Sequence, residues 1–199
     1  MPSTPAYTAK NFETLLGTPG FSDTLLKNHF TLYEGYVKNT NAIQEKLMSG
    51  AVTPGTPEYA ELKRRFGWEW NGMKLHELYF GNMVSGGKAI TAGGEMEKIL
   101  NYLWGSMDGW KKDFVGTGTM RGIGWVVMAL DKDQHAVFTT WIGEHDIGHL
   151  AGATPLLIMD VFEHAFMIDY GLKRADYIEA FIKAIDWSVV EGRLAQAMK

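Results

Sequence analysis

Three imidazoles and one carboxylate stand in stretches of this chain that otherwise ask to be buried. His29 lies in LLKNHFTLYEGYV (25–37), His76 in KLHELYF (74–80), and Asp160 and His164 in MDVFEHAFMI (159–168). Burying an ionisable group is costly unless a hydrogen bond, an opposite charge or a metal compensates it. A fold that accepts this sequence must therefore supply partners at all four positions. Asp160 and His164 sit four residues apart, a spacing at which a turn or short helix aims both side chains at one centre. That pair suits a divalent metal. It suits equally an aspartate capping the turn with its histidine satisfied in the core. His29 shares a helix face with Leu25, Leu26, Leu32, Tyr33 and Tyr36, and His76 is flanked by Leu75, Leu78, Tyr79 and Phe80. A lone histidine on an apolar face is ordinarily a hydrogen-bonded core residue. Together the four form a larger pattern, which folding can gather into a dry site of three nitrogens and one oxygen.

The periodicity says which elements carry them. Apolar residues recur every three to four positions from Phe21 to about Leu47, a helix period, with Ser22 as N-cap. SGAVTPGTPEY (49–59) is a Gly/Pro loop. Thr56-Pro57-Glu58 then opens a second helix, which runs to about Met83. The first 18 residues, with Pro2, Pro5 and a Gly-Thr-Pro-Gly turn, read as an extended arm. Four glycines in VSGGKAITAGGEM (84–96) mark a boundary, and one helix is expected over about Glu95–Phe114. GIGWVVMAL (122–130), HAVFTTWIG (135–143) and PLLIMDV (155–161) read as strands, the first two joined by a hairpin turn at DKDQ. Helices over about 174–185 and 187–198 complete an α+β chain. We expect an N-terminal arm and long α-hairpin domain (1–88) and a C-terminal α/β domain (89–199) with a small three-stranded antiparallel sheet.

Composition narrows the chemistry. The 199 residues include no cysteine, which excludes disulfides, thiolate metal sites and thiol nucleophiles. A formal charge of −4 argues against a nucleic-acid surface and means that an anionic substrate needs local attraction. No apolar run reaches membrane-spanning length, and the N-terminus lacks the pattern of an export signal. The expectation is a cytoplasmic protein without a membrane or nucleic-acid partner.

DVFEHAFMIDYGLKRADYIEAFIKAIDW (160–187) closely resembles the signature of the iron/manganese superoxide dismutases, an Asp-Val-aromatic-Glu-His-Ala run followed by Tyr, Arg, Asp-Tyr and Trp. Arg121-Gly-Ile-Gly-Trp125 resembles that family's Gly-x-Gly-Trp strand start, and Glu144-His145-Asp146 falls where it usually has Asn-Gln-Asp. LHELYF (75–80) and LLKNHFTLYEGYVKNTN (25–41) resemble its two ligand-bearing helical segments. The resemblance covers roughly residues 20–198. It implies an enzyme that converts superoxide to dioxygen and hydrogen peroxide with one iron or manganese ion per subunit, held by His29, His76, Asp160 and His164 with one solvent molecule. It implies Tyr36 at the mouth of the substrate channel, and Trp125, Phe162 and Tyr79 or Phe80 as an aromatic shell. Glu163 would reach across the interface of a homodimer, or of a tetramer built from such dimers, to the partner's ligand histidine.

Three departures from the family pattern bear on the site. His29 and Tyr36 are seven residues apart where eight is common, so an ungapped alignment offers Asn28 as the ligand; imidazole chemistry favours His29. The usual interfacial tyrosine is Met167, and Leu32 stands near its customary histidine partner, an apolar replacement on both sides. The glutamine that normally bonds the metal-bound solvent is absent. Its earlier position is Gly72, and its later one holds His145, with Glu144 as the alternative. Unlike an amide, His145 can titrate near neutrality. His149 reads as structural, and Arg174 is a candidate for drawing in the anion. Two other readings fit some of these residues: a different mononuclear iron oxidoreductase, and a non-catalytic metal-binding protein on the same scaffold. A zinc hydrolase built on His145-Asp-Ile-Gly-His149 lacks an HExxH helix.

Overall fold

Ser22 meets the incoming chain in an extended conformation, and its hydroxyl accepts the Leu25 N–H at 3.0 Å. That cap opens α1 (Asp23–Met48) at the residue the sequence indicates. Thr56 does the same for α2 (Pro57–Gly81), with Pro57 in the first turn, where no N–H is needed. The structure, a computed structural model, describes residues 6–199; Pro2 and Pro5 of the expected arm lie outside them. Residues 6–12 carry no regular structure, and a single 3₁₀ turn (Glu13–Leu15) breaks the extended path expected through residue 18. The arm is strapped to α1 through Tyr7, whose backbone N–H and C=O both bond the Asn41 amide at 2.8 Å.

The two helices lie against each other as a hairpin. α1 buries Leu25, Leu26, His29, Tyr33, Tyr36, Val37 and Thr40; α2 buries Met73, Leu75, His76, Tyr79 and Phe80, among others. Seven steps at 3.6 residues per turn fall within about 20° of two full turns, so His29 and Tyr36 share one face. Asn28 is exposed while His29 is buried.

The single helix expected over 95–114 is two. α3 (Glu95–Trp104) stops at Gly105, which adopts φ +76°, and Ser106 caps α4 (Met107–Gly118) by accepting the Gly109 N–H. A left-handed glycine followed by a serine cap is a stop and a start in consecutive residues. The Gly-rich segment after α2 is pinned along the chain's last two helices: Val84 N–H donates to Ala184 C=O, and Lys88 N–H to Ile185 C=O.

The sheet is three-stranded and antiparallel with order β2-β1-β3, from β1 (Gly124–Asp131), β2 (Ala136–Gly143) and β3 (Thr154–Asp160). The central strand β1 is buried over its first seven residues and so reads as a continuous apolar run. Register sets Trp125 directly opposite Ile142 on one side and Asp160 on the other. A one-turn α5 (Met167–Tyr170), then α6 (Arg174–Ala184) and α7 (Trp187–Ala197), close the structure. Arg193 of α7 is half-turned into the interior, where it donates to the carbonyls of Leu78 and Leu156 and to Asn82 Oδ1 at 2.8–3.1 Å. It thereby ties the end of α2 to β3, the two elements that carry His76 and Asp160. The molecule is thus α+β as read from the sequence. No helix of the described residues is long and apolar enough to cross a membrane.

Candidate metal centre

Asp160 ends β3 with one carboxylate oxygen occupied and the other facing three imidazoles. Its Oδ1 accepts the Phe162 N–H at 2.8 Å, and its backbone carbonyl accepts the Tyr177 hydroxyl at 2.6 Å. Its Oδ2 lies 3.2 Å from His29 Nε2, 3.1 Å from His164 Nε2 and 3.6 Å from His76 Nε2. The four donor atoms all fall within 4.8 Å of one another. Each comes from a different local structure: the second turn of α1, late α2, the end of β3, and a 3₁₀ turn (Glu163–Ala165) that brings His164 back over Asp160. Asp160 is fully buried, as is His76; His29 is 2% exposed, and the His164 side chain 27%.

The chemistry of the set fits a metal. His76 Nδ1 donates to the Gly72 carbonyl at 2.6 Å, which fixes the proton there and leaves the Nε2 lone pair aimed at the cluster. That buried Nε2 has no hydrogen-bond partner among the described residues. Burial lowers the pKa of His29 against the attraction of Asp160; burial and then His29 push His76 well below the ordinary imidazole value. These rings therefore offer lone pairs rather than charges. Burial would raise Asp160, but His164 and His29 outweigh it and hold the carboxyl well below the usual carboxylate range. Two ligands about 2.1 Å from one ion stand about 3.0–3.6 Å apart at ordinary coordination angles, the range Asp160 Oδ2 keeps to all three rings.

Around this cluster lies an aromatic layer. The Tyr36 ring stacks on His76 at 5.1 Å, Phe80 meets His29 edge-on at 4.8 Å, and Tyr79 lies 5.5 Å from His29. Both Tyr79 and Phe80 belong to this layer, where the sequence offered one or the other. Phe162 is stacked between His145 and His164, at 4.7 and 5.1 Å. Gly72 is needed for this packing, since a Cβ there would stand 2.6 Å from Tyr36 Cδ1.

His145 is fully buried and turned inward, between Trp125 and Tyr36. The Trp125 indole, which can only donate, gives its N–H to His145 Nδ1 at 3.0 Å. The proton of the neutral ring therefore sits on Nε2, which donates to Tyr36 Oη at 2.8 Å. Titration near neutrality, expected from the residue type, is corrected here: burial pushes His145 down to about 4. Glu144 points the other way. It is exposed, with φ +48°, and accepts the Trp68 indole N–H at 3.0 Å. His149 Nε2 binds the His145 carbonyl at 2.8 Å, a loop-bracing role. Arg174 spends its guanidinium on the carbonyls of Met120 and Gly122, which ties down the turn before β1.

The model of the iron/manganese superoxide dismutase C-terminal domain matches residues 92–193. The iron superoxide dismutase of Aquifex pyrophilus is 35% identical over 187 residues, covering 90% of this chain and 87% of that protein. The chain belongs to the iron/manganese superoxide dismutases. Within the family it is also similar to proteins named for either metal. The iron enzyme of Sulfolobus acidocaldarius is 31% identical over 88% of this chain and 86% of its own length. A manganese superoxide dismutase of Haloferax volcanii is 31% identical over 91% of this chain and 90% of its own. Three residues near this dismutase-family centre went unremarked in the sequence: Arg65, Trp68 and Glu69. Their spacing of three and four on α2 was the available signal.

Proposed function

We propose that this chain is a superoxide dismutase in which His29, His76, Asp160 and His164 hold one iron or manganese ion. The observation that carries the reading is the convergence of four buried or half-buried donors on one point, with the His76 lone pair left for a ligand that the protein does not itself supply. When bound, such an ion supplies reversible one-electron chemistry, and two superoxide anions with two protons give one dioxygen and one hydrogen peroxide.

The chain's own residues have three tasks. The first is to hold donors neutral and in register: Gly72 C=O orients His76, and Phe162 N–H together with Tyr177 Oη orients Asp160. The second is to keep the site dry, through Tyr36, Tyr79, Phe80, Trp125 and Phe162. The third is to deliver protons, without which peroxide cannot leave. Burial raises the Tyr36 pKa, so its hydroxyl stays protonated through the physiological range. Because His145 Nε2–H donates to Tyr36 Oη, the phenol's own proton is free for a second acceptor. Tyr36 and His145 are thus assigned as the proton-delivering pair.

We further propose a homodimer, or a tetramer of such dimers, formed through Glu163. It is exposed next to His164, which is the least covered of the four donors, and Leu32 and Met167 are 36% and 44% exposed in the single chain. A partner seated there would cover all four. The cytoplasmic location stays part of the proposal, to be tested by cell fractionation. The test of function is a superoxide assay on protein reconstituted separately with iron and with manganese. Turnover with at least one metal supports the enzyme; metal uptake without turnover supports the non-catalytic scaffold.

A further inference from the structure

Trp68 touches both members of the Tyr36–His145 pair from outside. Its ring meets His145 edge-on at 4.5 Å and lies 5.5 Å from Tyr36. Two contacts hold the indole in place. The Arg65 guanidinium lies over its ring at 4.0 Å, close enough for a cation–π contact. Arg65 is in turn anchored to the buried Glu69, with Nε at 2.7 Å and a terminal nitrogen at 2.6 Å, and Glu69 also accepts Asn39 of α1 at 3.2 Å. The second contact is the 3.0 Å bond from the Trp68 N–H to the Glu144 carboxylate.

Glu144 needs a special backbone to make that bond. With φ +48° it is one of two non-glycine residues among those described with positive φ, a conformation most side chains avoid. The consequence is that consecutive residues face opposite ways. Glu144 reaches out to the indole on α2, and His145 reaches in to Tyr36 on α1 and Trp125 on β1. Sparsely populated backbone persists only where surrounding contacts over-determine it. Here those contacts include Glu144 N–H to Ile123 C=O, and a reciprocal backbone pair between Gly143 and Ile147.

We infer that Trp68 and Glu144 form a latch over the outer side of the Tyr36–His145 hydrogen bond, clasping α2 to the loop after β2 and limiting which solutes reach the phenol. Both are positioning residues: they act through Tyr36 and His145 rather than on substrate. Arg65 serves the latch by fixing the indole, and its charge is compensated by Glu69. The inference rests on the reading of Tyr36 and His145 as the proton-delivering pair.

The test is nitration of the metal-loaded protein by tetranitromethane, a reagent far bulkier than superoxide, located by peptide mass spectrometry. Tyr102, 88% exposed, serves as internal reference. Glu144→Ala removes the acceptor and is expected to raise the Tyr36:Tyr102 nitration ratio about threefold to tenfold, the scale of one lost hydrogen bond. Glu144→Gln keeps an acceptor oxygen and should stay within about twofold of the parent, since a neutral acceptor can still hold the indole. Trp68→Phe keeps an aromatic ring, smaller than the indole, but loses the N–H, so it should raise the ratio at least as far as Glu144→Ala. The double variant should go no further, because both remove one interaction. An unchanged ratio in both single variants, multiplicative effects in the double variant, or equal rates for Glu144→Gln and Glu144→Ala would overturn the latch. If Trp68→Phe fails to fold, the two substitutions at exposed Glu144 still decide. Dismutation by the parent is assayed in parallel: its absence fails the functional reading, while the nitration ratios judge the latch alone.

Discussion

His145 stands between a pure donor and a hydroxyl: it accepts from Trp125 on Nδ1 and donates to Tyr36 from Nε2. One ring thereby links the central strand of the sheet to the first helix, and only its neutral form can do both.

This has a consequence for pH. In an unfolded chain His145 has a pKa near 6.5; folded, burial lowers it to about 4. Between those values the unfolded chain binds a proton that the folded one does not, so the contribution of His145 to stability is full above about pH 6.5 and falls as pH drops towards 4. Glutamine can accept and donate as the neutral ring does, without titrating. His145→Gln should retain metal and lose less stability on going from pH 7 to 4.5, by about 2–3 kcal/mol. Urea unfolding of both proteins at the two pH values measures this, and the acid side of the activity profile should move with it. Parallel pH dependence in stability and rate would remove His145 from this role.

Gly72 does two things at once, supplying a carbonyl to His76 and leaving room for Tyr36. Gly72→Ala puts a Cβ where the Tyr36 ring lies, so the ring must swing away from His145. The expected cost is about 1–3 kcal/mol in stability, as for other overpacked cores, with a fall in turnover of about tenfold or more if Tyr36 delivers protons. Thermal unfolding and single-turnover rates, measured together, separate the two effects.

Arg193 is expected to matter for stability while touching nothing in the centre. Burial lowers its pKa to about 10, and its acceptors are two backbone carbonyls and an amide oxygen. Arg193→Met leaves the Leu78 and Leu156 carbonyls without their donor. We expect a loss of about 2–3 kcal/mol, seen as a fall in Tm of about 5–10 °C for a chain of this size, with unchanged metal preference. An unchanged Tm would mean that α2 and β3 are held in register without it.

Glu163→Ala should shift the protein towards monomer in sedimentation velocity and weaken metal retention, because His164 is the most open of the four donors. A parent that sediments as a monomer at working concentration contradicts the interface.

Much of this was legible before folding, and for identifiable reasons. The caps at Ser22 and Thr56 and the helix period placed His29 and His76, and the two apolar runs either side of the DKDQ turn placed Trp125. The break at Gly105-Ser106 was written in the sequence too, as a glycine stop beside a serine cap, but was masked by apolar residues continuing on both sides. The tautomer and the low pKa of His145 were not legible. They depend on an indole twenty residues upstream and on burial, which residue type alone does not convey. Nor was the outward turn of Glu144, since nothing local announces a positive φ at a glutamate.

The central claim is that His29, His76, Asp160 and His164 share one redox ion. Crystals of the protein loaded with manganese or iron, with diffraction collected on both sides of that metal's absorption edge, test it directly. The account predicts one anomalous peak per chain within about 2.0–2.3 Å of His29 Nε2, His76 Nε2, His164 Nε2 and Asp160 Oδ2. A peak elsewhere, or one that leaves any of these four atoms uncoordinated, would contradict it.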